Sequence, residues 1–272
     1  MKKIVLAIDI MGGDFGPKAT IEGVLMASKA YPNIKFILFG DKKKSKDELQ
    51  KISNLKDYEF VHTTESISSS EQPVNALRKL KKSSMRLGIN SVKLNECDGL
   101  VSAGNTGALM AISKFVLKTI KAIDRPAIAA LMPTMKGQTV ILDLGANVEC
   151  SSENLVQFAI MGDMFSKSVL GIKNPKLGLL NVGSEQIKGN TVVKKTFDDL
   201  KKMNSKINFF GFVEGNDINK GIVDVIVTDG FSGNIALKTA EGVAELIFTF
   251  LKNAYASSII SKVGYLLSKP AI

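Results

Sequence analysis

Short apolar runs alternate along this chain with longer segments in which apolar residues recur every three or four positions. Most of the runs are unbroken stretches of Val, Ile and Leu, which is typical of parallel strands buried on both faces. The predicted strands are residues 4–8, 35–39, 58–61, 99–102, 127–131, 139–144, 177–182, 208–210 and 223–228. The predicted helices are residues 20–30, 73–87, 108–117, 153–168, 191–203 and 235–253.

This alternation predicts an α/β fold, in which a mostly parallel, open sheet is layered between helices on both faces. The chain has no confident linker, internal repeat or low-complexity tract. We therefore expect a single domain over residues 1–272, within which sublobes are possible.

Composition excludes several classes of protein. The chain has 272 residues, of which 45% are hydrophobic and 23% are charged, so neither a mainly disordered chain nor a small disulfide-rich protein is expected. Cys97 and Cys150 form no CxxC pair, and no other soft ligands cluster near them, so we expect no metal site and a reducing, cytoplasmic setting. No apolar stretch approaches the length of a membrane-spanning helix.

The net charge of +10 favours acidic partners, namely nucleic acid, an anionic membrane, phosphate-bearing molecules or an acidic protein. The lack of Trp and the 7% aromatic content argue against stacking on nucleic-acid bases. His62 is the only histidine and has no evident catalytic partner, so Ser-His-Asp chemistry is not expected.

Five turns rich in Gly, Asn, Asp and Ser directly follow predicted strands. Because the carboxyl ends of parallel strands meet at one edge of a sheet, these turns should converge there. Glycine lets main-chain N–H groups approach an anion, and the helix that follows offers unpaired N–H donors. Together they predict a cradle for an anion such as phosphate, although each turn by itself could simply end a strand and cap a helix. The turns are MGGD, SAGNTG, DLGAN, NVGSE and DGFSGN.

None of these turns is a GxGxxG or GxxxxGK[ST] motif, so dinucleotide and P-loop sites have no support. Charged residues near the turns add candidates. On one helix, Arg78, Lys81 and Lys82 would share a face suited to an anion, although such a run is also typical of a solvated surface. Lys188 and Lys238 are further candidate cations, and Asp9 and Asp14 flank the first turn.

At these residues the chain resembles the phosphate acyltransferase (PlsX) family of bacterial phospholipid synthesis, in register over nearly its whole length. The matching stretches are AIDIMGGDFGPKATIEG, LFGD, QPVNALRKLKKSSM, VSAGNTGALM, IDRPAIAALMPT, LDLGANVECSSENLVQFAIMGDMFS, GLLNVGSEQIKGN, NFFGFVEGNDI and DVIVTDGFSGNIALKTAEG.

The resemblance implies a homodimeric enzyme with a fold like that of phosphotransacetylase and the isocitrate dehydrogenase group. Such an enzyme transfers a long-chain fatty acyl group from acyl carrier protein to inorganic phosphate, needs no cofactor or metal, and binds no nucleic acid. Its acidic carrier protein matches the basic charge of this chain. A phosphotransacetylase that uses acyl coenzyme A, and a catalytically impaired protein that binds acyl carrier protein or lipid, are the alternatives.

In the matched motifs we expect phosphate to bind in the crevice at which the five turns converge. Small residues and two asparagines would contact it from one side, and two further asparagines from the other. The expected phosphate-binding residues are Gly104, Asn105, Thr106, Gly107 and Asn147, with Asn190 and Asn234 opposite. The expected catalytic residues are Arg78 and Lys188, which would neutralise charge, and Asp9 and Asp14, which would orient water, a donor or a lysine.

The sequence departs from the family pattern at three positions. Phe15 stands where members commonly have His, Leu80 stands at a position that is commonly basic, and Lys82 stands at one that is commonly acidic. The family pattern also continues past the last residue of this chain, with another glycine-rich segment and a helix.

Residues 246–272 contain Lys252, Lys262 and Lys269 but no acid. As one helix, this segment would place Ile259, Ile260, Val263 and Leu267 on one face, which suits peripheral binding to an anionic membrane at the inner face of the cell. A dimer or core helix is the alternative.

Overall fold

The computed structural model describes residues 3–55, 57–203 and 206–270. These residues separate into two compact units, Met1–Pro126 and Ala127–Ile272. Each unit is described by itself, and a single domain over the whole chain stays a prediction.

The first unit is built on a four-stranded parallel sheet. Its strands are β1 (Ile4–Asp9), β2 (Ile34–Gly40), β3 (Tyr58–His62) and β4 (Gly99–Ser102), in the spatial order β3-β2-β1-β4. All three strand pairs are parallel, as the unbroken apolar runs predict. The carboxyl ends of all four strands therefore lie at the same edge of this sheet.

Helices cover both faces of this sheet. They are α1 (Pro17–Ala30), α2 (Lys46–Lys51), α3 (Pro73–Lys79), α4 (Ser84–Lys93) and α5 (Thr106–Leu117). Ile21 and Val24 of α1 pack on one face of the sheet with Phe36, and Leu87 of α4 packs near Phe39 on the other.

The single helix expected over residues 73–87 is wrong. The chain leaves the helical conformation after Lys79, and Ser83 begins a second helix by accepting a hydrogen bond from the N–H of Arg86. Serine is a favoured helix cap because its hydroxyl satisfies a first-turn N–H. Arg78 lies on α3, whereas Lys81 and Lys82 lie in the turn, so these three residues do not share a helix face.

The second unit is built on a five-stranded sheet. Its strands are β5 (Ala129–Thr134), β6 (Gly137–Leu142), β7 (Lys176–Leu180), β8 (Asn208–Val213) and β9 (Val225–Val227), in the order β5-β6-β9-β7-β8. The β5–β6 pair is antiparallel, and the other three pairs are parallel. The prediction of mostly parallel sheets is confirmed, although the strands divide between two sheets.

Helices also cover both faces of the second sheet. They are α6 (Ser152–Val169), α7 (Thr191–Lys202), a 3-10 helix (Gly215–Lys220), α8 (Gly230–Ala256) and α9 (Ile259–Ser268). Phe158 of α6 is fully buried against β6, β7 and β9, a burial that contributes roughly 2–3 kcal/mol. Ile218 and Leu237 pack on the other face.

Residues 246–256 and 259–268 belong to two helices, and the predicted helix over residues 235–253 lies within the first of them, α8. The helical hydrogen bonds end at Ala256, and the Ser258 hydroxyl accepts a hydrogen bond from the N–H of Ser261 to begin α9. Residues 271 and 272 lie outside the described residues. In the described part of the chain, no helix is long and apolar enough to cross a membrane.

Candidate functional site

Asp9 ends β1 and is only 2% exposed. Its Oδ1 accepts hydrogen bonds from Ser84 Oγ (2.6 Å) and from the N–H of Met11 (3.2 Å), and its Oδ2 accepts one from Ser102 Oγ (2.7 Å). The carboxylate thus joins the end of β1, the end of β4 and the first turn of α4. With three donors already bound, Asp9 acts by positioning these turns.

Two glycine turns approach closely beside Asp9. A Cβ atom on Gly12 would lie 2.6 Å from the nitrogen of Gly104, and one on Gly104 would lie 3.1 Å from Met85. The N–H of Gly104 donates to Ser102 Oγ at 3.1 Å. Both turns therefore need glycine at these positions, because their main chains pack directly against each other.

The side chain of Asn105 is already fully engaged. Its Oδ1 accepts from the N–H of Ala108 (2.9 Å) and caps α5. Its Nδ2 donates to the carbonyl oxygens of Ser68, Ser69 and Glu71 at 2.9–3.3 Å. The Asn105 amide therefore fixes the loop around it.

The first turn of α5 offers main-chain donors instead. Thr106 and Gly107 are the first two helical residues and are exposed. N–H groups at these positions have no acceptor inside a helix, and the helix dipole favours an anion there. A Cβ on Gly107 would lie 2.9 Å from Pro73, so the loop before α3 lies directly beside this turn.

Three further residues of the first unit have exposed side chains. Asp14 and Phe15 lie in the turn between β1 and α1, and Phe15 is 77% exposed. Arg78 lies in the last turn of α3. Neither Asp14 nor Arg78 forms an ion pair among the residues that the structure describes.

In the second unit, a fully buried carboxylate organises the turn after β6. Asp143 Oδ1 accepts from the N–H groups of Ile128, Gly145 and Ala146, and Oδ2 accepts from the N–H and the side-chain amide of Asn147, at 2.7–3.2 Å. Asn147 is itself buried. Its amide is thus held against Asp143.

The start of α8 packs onto this turn. A Cβ on Gly230 would lie 2.6 Å from the carbonyl oxygen of Asn147, and one on Gly233 would lie 1.9 Å from that of Asp143. Asn234 lies on the same turn of α8, is exposed, and approaches Gly145. Within this unit, the turn that carries Asn147 is therefore in contact with the first turn of α8, which carries Asn234.

Lys188 and Asn190 lie in the turn between β7 and α7. Lys188 pairs with Glu185 at 3.4 Å, and both side chains are at least half exposed. The backbone N–H of Glu185 and the ammonium of Lys188 hold the pKa of Glu185 below its ordinary value. Asn190 caps α7 by accepting from the N–H of Val193 at 2.9 Å.

The first turns of three helices surround one open cleft of about 540 Å³ in the second unit. Cys150 and Leu155 line it beside the start of α6, Asn190 at the start of α7, and Asp229 and Ser232 at the start of α8. Three helix N-termini give this cleft a positive potential suited to an oxyanion. The acids Glu149, just before α6, and Asp229, at the start of α8, also line the cleft, so an anion would lie more favourably near α7.

Within the first unit, the structure brings Asp9 next to Gly104, whose turn leads into Asn105, Thr106 and Gly107. Within the second unit, it brings the turn of Asn147 against the first turn of α8, which carries Asn234, and places Asn190 at the cleft. Sequence reasoning did not single out Asp143, Ser84 or Ser102. Asp143 stands directly after an apolar run, as Asp9 ends one, and this repeated position is the signal that could have identified it.

No group of three or more His, Cys, Asp or Glu residues suited to a metal ion occurs within residues 3–55, 57–203 and 206–270. The amides, hydroxyls and lysines around the turns are instead suited to binding an oxyanion.

Comparison with known proteins gives a consistent result. The chain matches the model of a family described as "Fatty acid synthesis protein" over residues 4–272. It is 51% identical to a phosphate acyltransferase of Paramagnetospirillum magneticum, over 99% of this chain and 77% of that protein. It is 47% identical to a phosphate acyltransferase of Rhodospirillum rubrum, with the same two coverages.

Two solved structures share the fold. The EutD phosphotransacetylase from Staphylococcus aureus has a TM-score of 0.61 and 19% identity, over 89% of this chain and 83% of that chain. A branched-chain phosphotransacylase from Enterococcus faecalis has a TM-score of 0.56 and 15% identity, over 87% and 83%. At these identities the likeness concerns the fold, and it confirms the predicted α/β class.

Proposed function

The chain belongs to the fatty acid synthesis protein family, in which relatives 47–51% identical to it are phosphate acyltransferases, and we propose on this premise that it transfers a long-chain acyl group from acyl carrier protein to inorganic phosphate. The acyl phosphate formed would supply phospholipid synthesis. The observation that carries this proposal within the structure is the cleft between the first turns of α6, α7 and α8, because three helix N-termini favour phosphate.

The reaction is a single acyl transfer. A phosphate oxygen attacks the thioester carbonyl carbon, a C–O bond forms, and the tetrahedral oxyanion collapses with cleavage of the C–S bond. The thiolate leaves and takes up a proton to give the carrier thiol, while the acyl group remains on phosphate. Holding the two reactants together and stabilising the oxyanion with fixed donors accounts for catalysis without a protein nucleophile.

In each unit, main-chain and amide donors in the turns that follow the strands are proposed to bind phosphate. In the first unit these are the N–H groups of Thr106 and Gly107, while Asn105 and Gly104 shape the turn. In the second unit they are contributed around Asn147, Asn190 and Asn234. Arg78 and Lys188 would neutralise the charge of phosphate or of the oxyanion.

The two aspartates expected in the reaction have different surroundings. Asp9 is buried with three donors, which supports a positioning role for it. Asp14 is exposed in the turn that carries Phe15, which leaves its carboxylate accessible to orient a donor. Because Phe15 cannot donate or accept a proton, no acid–base step is assigned to that position.

The test is to supply palmitoyl carrier protein and follow release of the carrier with and without phosphate, in parallel with acetyl coenzyme A. We expect phosphate-dependent release from the carrier and little use of acetyl coenzyme A. Equal use of both thioesters would indicate a phosphotransacetylase, and binding of the carrier without release would indicate a non-catalytic binding protein.

The cradle is tested separately through phosphate affinity. A double substitution of Asn105→Ala and Thr106→Pro removes the cap and one first-turn N–H of α5. We expect the KM for phosphate to rise at least tenfold. Unchanged phosphate affinity in a folded variant would contradict the assignment of phosphate to this turn.

Peripheral membrane binding is proposed for α9. Ile259, Ile260 and Leu267 are largely exposed, and Lys262 is exposed beside them. An apolar helix face with flanking lysines suits an anionic lipid surface. We expect phosphatidylglycerol vesicles to retain the protein and the double variant Ile260→Glu, Lys262→Glu to lose that retention, whereas Lys173→Glu keeps it. Equal retention of all three proteins would contradict the proposal.

A homodimer is also proposed, through the exposed apolar side chains Val243, Leu246, Ile247 and Phe250 of α8. Apolar surface of this extent in a water-facing helix usually marks an interface. Light scattering at micromolar concentration should give twice the 29.3 kDa of one chain, and Phe250→Glu should reduce it. A monomeric mass for the unmodified chain would contradict this proposal.

We propose a cytoplasmic location for the dimer, next to the inner membrane surface.

A further inference from the structure

A group of lysines lies at the carboxyl edge of the four-stranded sheet in the first unit. Lys42, Lys43 and Lys44 lie in the turn after β2, and Lys46 begins α2. Lys79 ends α3, and Lys81 and Lys82 lie in the turn between α3 and α4. All seven side chains are exposed. We call these seven residues the lysine patch.

Hydrogen bonds hold the two turns of the lysine patch beside one another. The N–H of Thr63 donates to the carbonyl oxygen of Gly40 (2.9 Å), at the end of β2. Thr63 Oγ1 donates to the carbonyl oxygen of Lys82 (2.6 Å). The N–H of Lys42 donates to His62 Nδ1 (3.1 Å). The side chains of His62 and Thr63, together with the N–H of Thr63, thus bridge the two turns.

The positive charges of the patch lack ion-pair partners in the described part of the chain. None of the seven forms an ion pair within the part of the chain that the structure describes, whereas lysines elsewhere are paired, such as Lys35 with Glu59 and Lys195 with Glu153. The charge of the patch is therefore not neutralised locally, and it is available to an outside partner.

Two acids beside the patch, Asp41 and Glu65, accept hydrogen bonds from the main chain, whereas Asp47 follows Lys46 in α2 and is exposed. Asp41 is buried, and its Oδ1 accepts from the N–H groups of Lys43 and Lys44. Burial opposes ionisation of Asp41, but these two N–H groups, with His62 and Lys44 nearby, hold its pKa below the ordinary value. Glu65 accepts from the N–H of Lys82 at 3.0 Å. Asp41 and Glu65 thus stabilise the turns that present the lysines.

The patch adjoins the residues assigned to the reaction. Lys82 is two residues from Ser84, whose hydroxyl donates to Asp9, and β2 lies next to β1 in the sheet. A protein that binds the patch would therefore sit beside the turns at the ends of β1 and β4. A thioester on a flexible arm could reach those turns from this position.

We propose that the lysine patch is the docking surface for the acidic carrier protein that delivers the acyl thioester. This inference rests on the proposed function, and it adds where the carrier binds. A cluster of unpaired, exposed lysines meets an acidic partner with complementary charge, which raises the rate of association and orients the partner on the surface.

The test compares a patch variant with a matched control variant in the full chain. The patch variant is Lys43→Glu, Lys46→Glu, Lys81→Glu, which omits Arg78 and every residue assigned to the reaction. The control is Lys173→Glu, Lys201→Glu, Lys206→Glu, which changes the net charge equally at exposed lysines of the second unit. Thermal unfolding of each protein first establishes that it is folded.

Each protein is then assayed with two thioesters of the same acyl chain, one on carrier protein and one on the small, uncharged N-acetylcysteamine. For the patch variant we expect kcat/KM with the carrier thioester to fall roughly tenfold or more, and kcat/KM with the small thioester to stay within about twofold. The control should keep both values. Raising the salt concentration to ~0.5 M should reduce the advantage of the unmodified protein, because salt screens exposed charges.

Equal losses with both thioesters, or no loss with the carrier, would overturn the proposal. Loss of binding to anionic vesicles with unchanged carrier kinetics would also overturn it and would assign the patch to the membrane. If the unmodified protein used neither thioester, the proposed function would fail instead. Fluorescence anisotropy with labelled carrier would then decide docking: binding by the unmodified protein and not by the patch variant supports it, and any other result overturns it.

Discussion

At the scale of single residues, Asp9 and Asp143 play the same part in the two units. Each carboxylate stands at the end of a buried strand and accepts hydrogen bonds from the turn that follows, Asp9 from Met11 and Asp143 from Gly145, Ala146 and Asn147. Each turn is thereby fixed in one conformation before any ligand binds. Prior ordering of this kind lowers the cost of binding an anion.

The residue types of the turns were predictable from sequence, but the partners of their side chains were not. Asn105 has the composition of a phosphate donor, and the structure gives its amide to four main-chain groups of the protein itself. Asp143 was visible only as one letter of a turn. Four of its five hydrogen bonds come from residues 145–147, and the fifth comes from Ile128, 15 residues away, on a chain path that local patterns do not specify.

Substitution of Asp143 should destabilise the second unit strongly. In Asp143→Asn, an NH2 group would face N–H donors that now bind a carboxylate oxygen, so we expect the free energy of unfolding to fall by roughly 2–4 kcal/mol. Urea denaturation measures this. Asp198→Asn, at an exposed position on α7, should stay within about 0.5 kcal/mol of the unmodified protein. Equal stability of the two variants would show that the Asp143 bonds contribute little.

A pH-dependent contribution is expected from Glu153. Its hydrogen bond with Lys195 is the main cause that lowers the pKa of Glu153 from 4.5 to about 2. A lowered pKa stabilises the folded state above the ordinary pKa, and this stabilisation is lost as the pH falls towards the folded value. The melting temperature of Glu153→Gln should therefore lie slightly below that of the unmodified protein at pH 7, and the two should converge between pH 4.5 and about 2.

The control for this effect is Glu245→Gln, because Glu245 is exposed and has no ion pair in the described ranges. Its difference from the unmodified protein should not follow the same pH window. A difference at Glu153 that persists unchanged to pH 2 would contradict the ionic origin.

At the scale of elements, hydrophobic periodicity identified most strands and helices but not their breaks. Residues 73–87 carry helical spacing throughout, and the chain still divides at residues 80–83, because Ser83 caps a new helix whose Ser84 binds Asp9. That bond connects positions 75 residues apart, so no local window contains it. The short apolar run of β5 likewise does not indicate that this strand pairs antiparallel with β6.

The packing of α8 on the turn after β6 can be tested with two glycines of one helix. In Gly233→Ala, the new methyl group would lie 1.9 Å from the carbonyl oxygen of Asp143, so we expect the free energy of unfolding to fall by about 3 kcal/mol. In Gly242→Ala, nothing lies within 4 Å of the new methyl group, and the better helix propensity should stabilise α8 by roughly 0.5–1 kcal/mol. Urea denaturation measures the free energy of unfolding of both variants. A Gly233→Ala variant as stable as the Gly242→Ala variant would contradict the packing.

At the scale of the whole molecule, composition predicted that the partners are negatively charged but not where they bind. The net charge of +10 indicated anions of some kind, and the resemblance of the motifs selected phosphate and an acidic carrier. Only the three-dimensional structure brings residues 42–46 and 79–82 together, through Thr63. The lysine patch is therefore a property of the fold that the order of residues along the chain does not reveal.

Acyl transfer to phosphate is tested most directly by identifying the product by 31P NMR while palmitoyl carrier protein and phosphate react in the presence of the enzyme. We expect a new acyl phosphate resonance that grows in a one-to-one ratio with free carrier thiol and that is absent without the enzyme. Release of carrier thiol without acyl phosphate would mean hydrolysis by water, and it would contradict acyl transfer to phosphate as the function of this protein.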